Sequence, residues 1–343
     1  MPVIIGDDVE PVNIFTSARY ACWYRYRTLF YTVDIWTTRT MTLTFVFLDG
    51  IGLAPASADN PLAQVPMPTV HRLLGGPLTS EQIGYRDHLL LTALDTCLGV
   101  DGLPQSGTNH VALLAGINAP ALHGRHQPHF PPVALRPLLA ERSLFRRIRE
   151  RGLRVAFANV FTNSYWQAVA SRRLRHSASV IAAEGASIDL RTLADLKQGR
   201  ALSWDITGEG LATRDPEAVT IEPISPQLAG ERLARLATEY EFVFFESFLP
   251  DLAGHGRLGT HGVREALTRI DGLIAGWLDA RRHQDNLIIT SDHGNIEQAS
   301  TTTHTTAPAP LLVIGPLAEH FRHVRRIDEV ADAILQALPA MSQ

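Results

Sequence analysis

The sequence predicts an α/β fold: a mostly parallel sheet sandwiched by helices, with a small inserted cap. Three observations carry this prediction. Short runs such as Thr44-Phe-Val-Phe-Leu48, Glu241-Phe-Val-Phe-Phe245, Leu287-Ile-Ile-Thr290 and Leu311-Leu-Val-Ile314 are apolar without alternation, as strands covered on both faces are. Longer stretches that read as helices separate them, as the crossovers of a parallel sheet require. Several runs also end in Asp or His, at the strand tips where open α/β sheets place their chemistry.

Composition sets the bounds. The chain has 343 residues, 45% hydrophobic and 19% charged, which suits a large globular core. A formal net charge of -4 gives no reason to expect a nucleic-acid partner, and no apolar run is long enough for a membrane span. Cys22 and Cys97 lie far apart without metal-type spacing, so a disulfide framework is not expected and a reducing cytoplasm is the default.

Residues 1–40 stand apart. Tyr20 to Trp36 is rich in aromatics and arginine and follows neither helical nor strand periodicity. Met41 then opens a clean strand. One reading makes Met41 the natural start, with 1–40 an over-extended reading frame or a disordered leader; the other makes 1–40 an ordinary N-terminal strand or arm.

The first strand, to Leu48, ends in Asp49-Gly-Ile-Gly52, a carboxylate followed by turn-permitting glycines; an Asx turn would use the same residues. Residues 53–100 read as loop-rich, with a short helix begun near Pro68. Next, Gln105-Ser-Gly-Thr-Asn-His110 feeds a helix of small and apolar residues. Ser106 or Thr108 there could cap the helix, or meet an anion at its N-terminus. Leu144 to Gly152 reads as an amphipathic helix with a solvated arginine face, followed by a strand from Arg154 to Phe157. Thr192 to Leu196 reads as a short helix, Gly199 to Asp205 as a loop with a strand, and Ser225 to about Glu239 as a helix returning to the sheet.

Asp251-Leu-Ala-Gly-His255 can bring a carboxylate and an imidazole onto one ion across a tight loop. A long helix from Thr260 to Arg281 leads to the strand at Leu287, which ends in Ser291-Asp-His-Gly-Asn295. Asp292 and His293 would point to opposite sides of a continuing strand. Both serve one site only if the backbone bends there, with Gly294 allowing the turn. A polar loop with His304 at its centre precedes the last strand, and Asp328 to Leu338 reads as a last helix. Asp49, Ser106, Asp251, His255, Asp292, His293 and His304 thus collect at one sheet edge. Two ions with mixed Asp/His ligands and one hydroxyl form a coherent inventory, suited to zinc or manganese.

In order and spacing these motifs resemble the alkaline phosphatase superfamily, in its metalloenzyme branch with cofactor-independent phosphoglycerate mutase and phosphopentomutase. Asp49-Gly-Ile-Gly is similar to the branch's first metal motif, and Ser106 four residues before His110 to its Ser-x-x-x-His motif. Asp251 to His255 matches Asp-x-x-Gly-His, Ser291 to Asn295 matches Ser-Asp-His-Gly-Asn, and His304-Thr305 matches the final His-Thr segment. The resemblance implies an alkaline phosphatase-like core over 41–120 and 239–340, with 121–238 as the inserted cap. It implies one ion on Asp251, His255 and His304, and another on Asp49, Asp292, His293 and the Ser106 oxygen. Ser106 would then be a metal-activated nucleophile forming a phosphoserine, with Thr108 a second candidate.

The implied function is a two-metal phosphoester hydrolase or phosphotransferase acting on a small phosphorylated metabolite. A phosphomutase and a non-catalytic metal-binding protein are the alternatives. The interval from Gly107 to Pro250 is too short for the large insertion of the phosphoglycerate mutases, and Gln105-Ser-Gly-Thr-Asn-His110 departs from their Asn-Ser-Glu-Val-Gly-His. No Cys-x-Pro-x-Arg occurs, so a sulfatase is not expected. The cap would read the leaving group, with His123, Arg125, His126, Arg200 and Asp205 as candidate contacts.

Overall fold

A computed structural model describes residues 41–338; the readings made for 1–40 lie outside the described residues. Among the described residues seven strands form one sheet: β1 (Leu43–Leu48), β2 (Gly84–Arg86), β3 (Leu89–Leu94), β4 (Val155–Phe157), β5 (Phe242–Ser247), β6 (Asn286–Thr290) and β7 (Ala309–Ile314), in the order β2-β3-β7-β6-β1-β5-β4. β4, β5, β1 and β6 run parallel in register, with Phe45 beside Phe244 and Ile288. β7 pairs antiparallel with both β6 and β3, and β2 with β3, so the sheet is mixed on the β7 side.

Alternate residues of each strand feed two cores. Phe45, Phe47, Phe242 and Phe244 face the helices Ser106–Ala115, Leu144–Arg149, Ala178–Gly185 and Val330–Ala337. Val46, Leu48, Val243 and Phe245 face the helices Pro68–Leu74, Pro226–Leu236 and Gly262–Ala280. The sheet is therefore sandwiched between helices, and both its faces are dry, which is why its strands read as unbroken apolar runs. No described helix is long and apolar enough to cross a membrane.

The structure corrects several local readings. The loop-rich stretch 53–100 holds the β2–β3 hairpin, turned by Asp87 and His88 at φ 43° and 64°. This left-handed pair matches the strand twist but carries no Asn-Gly or Asp-Gly signal. Gly199 to Asp205 forms no strand, only a bridge between Leu202 and Asn159. The arginines after Leu144 are partly ties rather than a free solvated face: Arg147 pairs with Asp332 at 2.7 Å, and Arg151 donates to the carbonyl of Leu338 at 3.0 Å. Within the expected cap, β4 is a strand of the sheet, and the helix Leu144–Arg149 buries Phe145 and Ile148 in the core. The later part of that stretch has its own small core of Val160, Leu196, Ala201, Leu211, Ala218 and Ile221.

Candidate metal centre

The C-terminal ends of β1, β5 and β6 meet at one edge, and each delivers a carboxylate. Asp49 follows β1 directly. Gly50 after it sits at φ 78°, and a Cβ there would lie 2.8 Å from the Cα of Asp251, so only glycine fits this crossing. Asp251 comes from the short helix Leu249–Gly254, and His255 from that helix's C-cap; the Asp-x-x-Gly-His spacing works as one helical turn, not as a loop. Beyond Thr290 the backbone bends, and Asp292 and His293 both turn into the site. Gly294 does not have a left-handed φ. It is required because a Cβ there would run into Thr305 and Glu297.

Ser106 opens the helix Ser106–Ala115 as its first residue, so it is not the cap; Gln105 holds that position without a side-chain bond. Ser106 Oγ lies 3.0 Å from His293 Nε2. Thr108 faces away, donating to the carbonyl of Gln105 and accepting from the backbone N–H of Gln127, so the geometry brings Ser106 rather than Thr108 to the carboxylates.

The side chains fall into two lobes. In one, Asp251 Oδ1 is 3.2 Å from His255 Nε2 and 3.5 Å from His304 Nε2, and the two imidazole nitrogens are 3.2 Å apart. Nδ1 of His255 faces the carbonyl of Thr302 at 2.6 Å, and Nδ1 of His304 that of Pro104 at 2.9 Å. A carbonyl only accepts, so each Nδ1 carries the proton and each Nε2 presents a lone pair inward. Two lone pairs and a carboxylate face to face require a cation or a proton between them. In the other lobe, His293 Nε2 is 3.3 Å from Asp49 Oδ1 and 3.2 Å from Asp292 Oδ2. His110 Nε2 approaches Asp292 at 3.1 Å and Asp49 at 3.6 Å without hydrogen-bond alignment. Asp49 Oδ1, Asp292 Oδ2 and His110 Nε2 are all buried with no hydrogen-bond partner among the described residues. Buried orphans of this kind are costly unless a cation completes them, so the donor set fits divalent ions.

The electrostatics agree. Burial, with the Asp292 carboxylate beside it, pushes Asp49 up to about 6. Burial opposes charge on His110, but Asp292 and Asp49 outweigh it and hold the imidazole well above its usual range. Burial, helped by the His304 charge, lowers His293 to about 4, leaving it neutral to accept from Ser106. Asp251 is lowered against its burial, by the His304 imidazole and by the hydrogen bond from Asn295.

All seven predicted ligand and nucleophile positions therefore converge. The five predicted substrate contacts do not: none lines the cavity beside the centre. His123 ends the helix Ala119–His123, and Arg125 is exposed. His126 meets the carbonyl of Val100 at 3.3 Å, and Arg200 pairs with Asp195 at 2.9 Å. Asp205 is fully buried, accepting from the N–H of Gly208 and contacting Arg269 at 3.3 Å.

Other residues were missed. His110 lies one helical turn after Ser106, a spacing that puts both on one face, yet the motif alone gave it no role. Glu246, at the tip of β5, lines the cavity and is pushed by burial up to about 7; it carries the same strand-end signal as Asp49. Asn295 Nδ2 donates to Asp251 Oδ1 at 2.9 Å. Glu297 accepts from the N–H groups of Gly52 at 2.9 Å and Asn295 at 2.8 Å, tying two motifs together.

The fold and the centre define an α/β protein with a two-lobed Asp/His/Ser site of metal-binding type at its sheet edge. Residues 217–340 match the family model described as Metalloenzyme superfamily. Curated relatives include the 2,3-bisphosphoglycerate-independent phosphoglycerate mutase of Gracilaria tenuistipitata var. liui, 30% identical over 132 residues, which is 34% of this chain and 26% of that protein. The mutase of the same name from Acetivibrio thermocellus is 32% identical over 108 residues, 29% of this chain and 21% of that protein. The matched segments thus span about a quarter or less of these relatives' length. Among solved structures, the PH0037 protein from Pyrococcus horikoshii shares the fold, with a TM-score of 0.50 and 13% identity over 89% of this chain and 98% of that one. Over residues 217–340 the chain is thus similar to the Metalloenzyme superfamily, and its fold is similar to that of the PH0037 protein.

Proposed function

We propose that the protein is a two-metal phosphoester hydrolase or phosphotransferase with Ser106 as nucleophile. The observation that carries this reading is the position of Ser106 Oγ, 3.0 Å from His293 Nε2 and at the start of a ten-residue helix. Asp251, His255 and His304 would hold one ion, Mn or Zn, and Asp49, Asp292, His293 and Ser106 the other. Bound there, the ions supply positive charge for the phosphoryl oxygens and lower the pKa of a coordinated hydroxyl.

The chain's own residues do the rest. Ser106 Oγ, its proton released to solvent, attacks phosphorus; its bond to phosphorus forms as the ester P–O bond breaks, and the alkoxide leaves with the electron pair and takes a proton from solvent. The helix N-terminus at Ser106 favours the negative phosphoryl group. Asn109 holds the site's backbone by donating from Nδ2 to the carbonyls of Asp292 at 2.8 Å and Thr96 at 2.9 Å. Water, or a second hydroxyl, then takes the phosphoryl group from Ser106. The stretch 161–224 serves as the cap over the leaving group. A second reading, phosphomutase, draws on the curated relatives, which carry that name over about a third of this chain.

The test uses metal-stripped full-length protein with Mn²⁺ or Zn²⁺ added back, assayed on p-nitrophenyl phosphate and bis-p-nitrophenyl phosphate. Metal-dependent turnover that falls at least about a thousandfold in Ser106→Ala supports the reading. Ions bound without turnover of either ester would favour a mutase of strict substrate or a non-catalytic metal protein.

A further inference from the structure

We infer that the site takes a phosphoester whose alcohol portion carries a flat, apolar ring, rather than a three-carbon phosphate. The inference rests on the function proposed above and deepens it. A cavity of about 710 Å³ opens directly from Asp49, Ser106 and His110. Ring-bearing ligands of drug size occupy cavities of roughly 300–1,000 Å³, whereas a phosphoglycerate would leave most of this one filled with water.

The wall decides the chemistry of what fills it. Phe161, Tyr165, Trp204 and Phe248 line the cavity, each only partly buried. Phe161 and Tyr165 meet edge to face at 5.1 Å between centroids, at 60°, and Phe161 packs in turn on Phe157 at 5.4 Å. Ring packing thus holds Phe161 and Tyr165 in place. The ring surface left exposed costs free energy in water and regains it against another apolar ring. A hydroxyl-rich small alcohol set against these rings would lose hydrogen bonds to water on that side.

Polar groups share the lining with the rings, among them Arg175, Arg214 and Arg257 and the carboxylates of Asp215 and Glu246. The Tyr165 hydroxyl is buried without a partner among the described residues. Arg175 and Arg257 line the same cavity and form no ion pair among the described residues. Arg214 lies over the Trp204 ring, 5.4 Å from its centroid, adding positive charge beside an aromatic wall. Phe130, Phe161, Tyr165, Arg175, Trp204 and Arg214 all come from the stretch expected as the cap, so leaving-group recognition stays with that segment, on residues other than those the sequence suggested.

The experiment separates ring recognition from chemistry. Binding of 1-naphthylmethylphosphonate, hexylphosphonate and methylphosphonate to full-length, metal-loaded protein is measured by calorimetry; none of these can be turned over. The naphthyl compound should bind at least about tenfold more tightly than the other two. Phe161→Ala and Trp204→Ala should each erase most of that gain while leaving methylphosphonate binding unchanged. Equal binding of all three in wild-type protein, or hexylphosphonate matching the naphthyl compound, overturns the inference without reference to any variant. In parallel, 1-naphthyl phosphate and glycerol 2-phosphate are assayed for metal-dependent hydrolysis. Selective naphthyl binding with no turnover of either ester would sustain the ring pocket and sink the proposed function. Turnover with no selectivity in binding would do the reverse.

Discussion

Asp49→Asn should make the metal-free protein more stable and abolish its response to metal. In the folded chain Asp49 is raised from an ordinary carboxylate value to about 6, by burial and then by Asp292. A raised carboxyl pKa favours the protonated form in the native state. Its contribution is therefore fully present below about pH 4 and is lost as pH rises through about 6. The displacement is roughly two units at 1.36 kcal/mol each, so at pH 8 the ionised, buried carboxylate costs the apo protein about 3 kcal/mol. Asparagine has the shape of the neutral acid and removes that cost. In the presence of EDTA the variant should resist urea better than wild type by up to about 3 kcal/mol at pH 8, and by about half as much at pH 5. With metal at a hundredfold over its Kd, wild type should gain about 2.7 kcal/mol per ion, and the variant should lose the gain of the ion that Asp49 holds. The assay is urea denaturation at the two pH values, with EDTA and with Mn²⁺ or Zn²⁺. A variant less stable than wild type in EDTA at pH 8, or one stabilised by metal to the full wild-type extent, would refute the reasoning.

Three further outcomes follow from the same geometry. Asn295→Ala removes the hydrogen bond that orients the Asp251 carboxylate, and should weaken metal binding about 10- to 100-fold in a competition titration against a chelator, with little change in fold. Gly50→Ala forces a side chain into a left-handed position 2.8 Å from Asp251, and should cost about 2 kcal/mol or more by urea denaturation while lowering metal affinity. Asp205→Ala breaks a buried pair with Arg269 and should cost about 3 kcal/mol of stability. Because Asp205 does not reach the cavity, the KM of the folded variant should stay at its wild-type value; a raised KM would restore it as a substrate contact.

What could be read from the sequence was set by local chemistry. β1, β5, β6 and β7 were visible because both faces of the sheet are buried, leaving apolar runs with no alternation. The candidate ligands Asp49, Asp292, His293 and His304 stood out because each sits just past a strand or in a loop, where Asp and His have few competing roles; Asp251 and His255 sit on a short helix instead. The bend after Thr290, which lets Asp292 and His293 share a site, was required by that placement before it was seen. The β2–β3 hairpin was hidden because its turn is Asp87-His88, residues that tolerate a left-handed backbone without announcing it. The antiparallel direction of β7 was hidden because an apolar run carries no sign of direction.

The aromatic wall of the cavity was hidden for a different reason. Its residues belong to separate segments, from Phe130 to Phe248, that only tertiary packing brings together. Charge drew attention to Arg200 and Asp205, which instead satisfy Asp195 and Arg269. His110 and Glu246 were legible in principle, one by helical spacing from Ser106 and the other by its strand-end position. Their burial is what turns them from ordinary polar residues into parts of the site.

The most direct test of the central claim is to catch the phosphoryl group on the nucleophile. Metal-loaded protein is mixed rapidly with an ester it turns over, quenched in acid, digested and examined by peptide mass spectrometry. The expected result is one phosphoryl group on Ser106, absent when metal is withheld and absent in Ser106→Ala. Steady turnover with Ser106 unmodified at every quench time, or a phosphoryl group on Thr108 instead, would contradict the account.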